Sequence, residues 1–125
     1  MKNLEQLRAR HALSFWAHPR SEEFHGEPGH ELVRACASWV LHHGLLGALA
    51  IAKSRSTAER RSVHEELFLD TGRFMANRDR GLLPFPVNNL DDLVRGLSSH
   101  SSELLQQATG EALAYLEYLQ RFHPR

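Results

Sequence analysis

Two sets of side chains in this sequence could do chemistry: nine histidines, and a knot of cations between Lys53 and Arg61. Histidine invites a metal. Zinc takes three or four converging N, S or O ligands, often two of them from one helical turn. His64-Glu65-Glu66-Leu67-Phe68 begins like a zincin motif, but Phe68 stands where the second histidine is required. His42 and His43 are adjacent and diverge on a helix. His25 and His30 fall in a glycine-containing segment, and His30 and Cys36 are not one turn apart. The spacing predicts scattered histidines, with no metal and no cofactor.

Nucleophilic and nucleotide chemistry lack their motifs. There is no G-x-S-x-G, no Walker loop and no G-x-G-x-x-G. Cys36, the single cysteine, lies on a predicted apolar helix face, where a thiol is inert packing. It also has no partner for an intrachain disulfide. The acid pairs Glu22-Glu23, Glu65-Glu66 and Asp91-Asp92 are sequential neighbours, and two sit near predicted helix starts, where acids are favoured electrostatically. The expectation is a protein that is not an enzyme.

The cations carry the stronger signal. Lys53, Arg55, Arg60 and Arg61 fall within nine residues at a predicted helix junction. They could hold phosphates, or they could be neutralised by Glu59, Glu65 and Glu66, partly through i,i+4 pairs such as Arg61 with Glu65. Formal net charge is zero, so the whole surface is no polycation. No RNA-recognition, KH or double-stranded-RNA-binding motif accompanies the knot, so any contact would read backbone, not sequence.

These residues need elements to position them. Leucine and alanine dominate, β-branched residues are scarce, and no alternating strand pattern occurs, which predicts an all-α bundle of five or six helices in one domain over residues 1–125. Asn3 with Gln6 forms a capping box for a first helix ending near His18-Pro19, with apolar stripes Leu4, Leu7, His11, Phe15 and Ala9, Ala12, Leu13, Trp16. Pro19 to His30 reads as a loop. A second helix runs from about Glu31 to His43 and stops or bends at Gly44. A third, Leu45 to about Ser54, is apolar nearly all round and belongs in the middle of the bundle. Its run from Gly44 to Ala52 is shorter than the roughly 20 residues a bilayer requires, so no membrane span is expected. Ser56-Thr57-Ala58-Glu59 has the form of a capping box and predicts a fourth helix from there to about Arg78. Asp79 to Asn89 is a loop whose Leu82–Pro86 segment either folds back on the core or docks on a neighbour. Asn89 caps a short fifth helix. The last helix, about Ser102 to Phe122, carries a stripe of Leu105, Ala108, Ala112, Tyr115, Leu116, Leu119 and Phe122, with Gly110 placed to admit a neighbouring helix.

Three segments in this order resemble a known family: LEQLRARHAL near the start, ASWVLHHGLLGALAIAKSRS in the middle and ATGEALAYLEYLQRF near the end. The resemblance is to the small subunit of the type III-B (Cmr) CRISPR effector complex, and it covers nearly the whole chain. It implies a small cytoplasmic all-helical protein without catalytic activity, working in antiviral defence. Several copies would stack beside a filament of backbone subunits. Its partners would be other Cmr complex subunits, copies of itself, and the guide RNA and target RNA. On that reading Lys53, Arg55, Arg60 and Arg61, with Arg34, line the RNA groove. The rival is a helical DNA-binding regulator using the third and fourth helices as a helix-turn-helix. Against it, Glu65, Glu66 and Asp70 would repel a groove.

Overall fold

The computed structural model describes residues 3–57 and 59–124. Five α-helices and one 3₁₀ helix follow one another: α1 (Leu4–Ala17), the 3₁₀ helix (Pro19–Phe24), α2 (Gly26–Ser54), α3 (Val63–Ala76), α4 (Leu90–Ser99) and α5 (Ser102–Arg121). No strand occurs among the described residues, so the protein is all-α.

Local side chains start most of these helices. Asn3 accepts from Gln6 N–H at 2.8 Å, and the Gln6 side chain accepts from Asn3 N–H, completing the capping box on α1. Asn89 caps α4 by accepting from Asp92 N–H at 2.8 Å, and Ser101 caps α5 by accepting from Leu104 N–H at 3.1 Å. The segment Pro19–His30 is not a loop. Pro19 opens the 3₁₀ helix, and α2 already begins at Gly26. Proline fits the first turn of a helix because its missing N–H has no intrahelical partner there. Gly29 lets this turn lie against the Phe24 carbonyl: a Cβ would fall 1.7 Å from that oxygen.

The capping box predicted at Ser56 does not form; its Ala58 lies outside the described residues. Ser62 is the N-cap of α3 and accepts from Glu65 N–H at 3.1 Å. Ser56 is otherwise engaged. Its oxygen accepts from Ser62 N–H at 2.8 Å, and its hydroxyl donates to Glu65 at 2.6 Å. Arg60 and Arg61 therefore precede α3 rather than riding on it.

α2 is the central element, packing on α5, α3, α4 and the 3₁₀ helix. It is two helical limbs joined at Gly44, whose φ of 76° and ψ of 169° are non-helical and essentially closed to L side chains. Trp39 and Arg55 show how sharp the corner is. They are 16 positions apart, which is about 24 Å along unbroken helix, yet the Arg55 guanidinium carbon sits 5.1 Å from the Trp39 ring centroid. By length and composition α2 passes for a membrane span, although the sequence reading placed only a short apolar run here. The corner divides it, and Val33, Cys36, Val40, Leu45, Ala48, Leu49 and Ala52 are buried among the other helices, as in a core helix.

One hydrophobic cluster joins residues of every helix, and each fully buried Leu or Phe in it contributes about 2 kcal/mol. α3 is buried on most sides, through Leu67, Phe68, Leu69, Phe74 and Met75. The loop before α4 folds back: Leu83 and Val87 are buried, and Phe85 covers Gly96 so closely that a Cβ there would meet its ring at 2.2 Å. Several expected contacts are missing. Leu13 and Phe122 are exposed, and Gly110 has nothing within 4 Å of its Cβ position, so it admits no neighbouring helix.

Candidate nucleic-acid interface

The knot of cations surrounds the exit of α2. Arg55 caps the helix, its N–H donating to the Ala52 carbonyl at 3.3 Å, and Ser56 N–H donates to the Lys53 carbonyl at 3.1 Å. Beyond it a tight turn forms, with Thr57 N–H donating to the Arg60 carbonyl at 2.9 Å and Arg60 N–H donating to Thr57 Oγ1 at 3.0 Å. Ser62 Oγ then donates to the Ala52 carbonyl at 3.0 Å, tying the start of α3 to the end of α2. This connection puts Lys53, Arg55, Arg60 and Arg61 on one exposed stretch of chain.

Every member of the set has a partner in the fold. Lys53 lies 3.4 Å from Asp91, Arg60 lies 3.4 Å from Glu23, and Arg61 lies 3.6 Å from Glu65 and 3.0 Å from Glu66. The i,i+4 pair read from the sequence is among them. Arg55 has no carboxylate within 4.0 Å among the described residues and lies over Trp39 instead. Arg34 stands apart from the other four, on the first limb of α2, 3.1 Å from Glu31. Lys53 and Arg61 share a shallow cleft of about 460 Å³ with Ser56, Thr57, Glu65, Asn89 and Asp91. The side chains in the Lys53–Asp91 pair are 52% and 55% exposed, and those in the Arg60–Glu23 pair 76% and 56%. Exposed pairs of this kind are worth at most about 1 kcal/mol each, so a competing anion or salt displaces them readily.

A second polar region lies at the seam of α1, α3 and α5, and the sequence reading missed it. Glu111, 2% exposed at the side chain, accepts from Arg8 at 2.7 and 3.1 Å and from Arg80 at 2.7 Å. The hydrogen bond to Glu111 raises the Arg8 pKa against the opposing effect of burial. Beside this clamp, buried Asp70 accepts from the Tyr115 hydroxyl at 2.6 Å, and His11 Nε2 lies 3.1 Å from its other oxygen. Burial first, and then the Asp70 charge, raise the Tyr115 pKa well above its ordinary value. A signal was present: Asp70 falls on the face of Leu67 and Phe74, and Glu111 on that of Ala108 and Tyr115. An acid inside an apolar stripe marks a buried polar contact.

Other chemistry finds little support in the geometry. Burial pushes the Cys36 thiol up, out of reach of thiolate chemistry. Glu27, His30 and Glu31 gather ligand atoms within 4.8 Å of one another. They lie in the first two turns of α2 with both acids exposed, and Glu31 is engaged by Arg34. The helix-turn-helix reading fails sterically. Glu65, Leu67 to Gly72, Phe74 and Met75 are buried, so α3 has no free face to lay in a groove.

Fold and surface together define a small all-helical protein with four exposed, partnered cations close together at the exit of α2. Residues 4–124 match the family model described as CRISPR-associated protein (Cas_Cmr5). The chain belongs to this family, the small subunit of the Cmr-type, type III-B CRISPR effector complex. No curated protein and no solved structure matches it.

Proposed function

We propose that this chain is a non-catalytic subunit that holds RNA by its sugar-phosphate backbone within the assembled complex. Residues 1–125 act as a single domain in the cytoplasm, apart from any membrane and without metal or cofactor. Several copies stack beside the backbone subunits in antiviral defence, and cleavage belongs to other chains. The observation that carries this reading is the placement of Lys53, Arg55, Arg60 and Arg61 on one exposed stretch, where Lys53, Arg55 and Arg60 are held only by exchangeable contacts and Arg61 also pairs with buried Glu65. Arg34 extends the set along the first limb of α2. A near-neutral monomer with a few such contacts gains affinity when copies line up along one RNA.

The test is neutralisation of Lys53, Arg55, Arg60 and Arg61 to glutamine in the reconstituted complex. RNA affinity should fall, and the salt dependence should flatten by about 0.7 log units per log salt for each lost single-strand contact. An unchanged slope rejects the assignment.

A further inference from the structure

Three planar groups are packed together beside the cation edge. The Trp39 and His64 ring centroids lie 4.7 Å apart at an interplanar angle of 36°. The Arg55 guanidinium carbon lies over the Trp39 ring, 5.1 Å from its centroid. The groups come from the first limb of α2, the first turn of α3 and the cap of the second limb, so the Gly44 corner brings them together. Burial, and then the nearby Arg55 charge, lower the His64 pKa from 6.5. That shift favours the uncharged ring, the form that does not repel Arg55.

Arg55 is exposed, and its location is what distinguishes it from the other four cations. They are held by carboxylates; it is held by an indole, through a cation–π contact. A guanidinium on an aromatic face remains a planar surface on which another ring can stack. Unpaired nucleobases use both guanidinium planes and aromatic rings in this way, whatever their sequence. Lys53, Arg60 and Arg61 lie on the same connection and supply the neighbouring phosphate contacts.

We infer that the Arg55–Trp39 pair is a stacking seat for one unpaired nucleobase. This rests on the phosphate-holding role proposed above and sharpens it: the edge takes single-stranded RNA with its base, not phosphate alone.

The full chain should be titrated with two oligomers of equal length and charge, oligoadenylate and its abasic ribose-phosphate counterpart, while following tryptophan emission. The base-bearing strand should bind about tenfold more tightly and quench the emission. Trp39→Leu should bring the two strands to equal affinity with the salt slope unchanged, and Trp39→Tyr should restore most of the preference. Arg55→Gln, at an exposed position, should weaken the preference in a fold left intact. Equal affinity in the unaltered protein, with a normal salt slope, overturns the seat and leaves the phosphate role standing. The seat is equally overturned if Trp39→Leu keeps the preference. Salt-insensitive binding of both strands, or no binding of either strand even when the chain is tested within the reconstituted complex, overturns both.

Discussion

The seam of α1, α3 and α5 and the exit of α2 are built from the same residue types and work in opposite ways. At the seam, Glu111 is 2% exposed and clamped by two arginines at 2.7 Å. At the exit, Lys53 and Arg60 are each held by one exposed acid at 3.4 Å. Removing a partner at the seam strands charge away from water, which is strongly destabilising. Removing one at the exit releases a solvated side chain. Burial thus turns an ion pair into architecture, and exposure leaves it free to be exchanged for a phosphate.

The largest expected effect breaks this contrast at its buried end. Glu111→Ala leaves Arg8 and Arg80 facing each other unpaired and should lower unfolding free energy by about 3 kcal/mol, measured by urea denaturation. Next comes Tyr115→Phe, which removes a charged hydrogen bond to Asp70 and should cost about 2 kcal/mol. It also carries a pH signature. The raised Tyr115 pKa means that the unfolded chain loses this proton first, near its ordinary value of 10.0. The stabilisation is complete below that value and is lost as pH rises towards the folded pKa. Thermal scans above pH 10 should show the loss in the parent chain and a shallower decline in Tyr115→Phe. The smallest effect falls at the exposed end. Replacing Lys53, Arg55 and Arg60 together, with Arg61 kept as the partner of buried Glu65, should change stability by only about 1 kcal/mol, even as RNA binding drops. A large loss of stability there would erase the distinction between the two regions.

Features written over three or four residues were legible in the sequence. The Asn3–Gln6 box, the Asn89 cap, the Gly44 break and the Arg61–Glu65 pair are all of this kind. The start of α3 was misplaced because two similar signals compete within ten residues, Ser56…Glu59 and Ser62…Glu65. The second prevails because Glu65 is drawn inside, where Ser56 bonds to it. That choice depends on burial, which a local pattern does not encode. Arg8 and Glu111 are 103 positions apart, and Arg60 and Glu23 are 37 apart. Only the packed helices bring such pairs together. Of the five cations singled out, the packing gathers four on one connection and leaves Arg34 on another limb; it also gives Arg55 an aromatic neighbour that no spacing rule predicts.

The bend at Gly44 has one more consequence. No atom lies within 4 Å of where a side chain would begin, so there is room for a methyl group. The obstacle is handedness: the torsions are forbidden to L residues and comfortable for their mirror images. A chemically synthesised chain with D-alanine at this point would keep the bend and enter folding with fewer loose conformations to surrender. What reserves this position for glycine is the stereochemistry of the ribosome's alphabet, not a shortage of space.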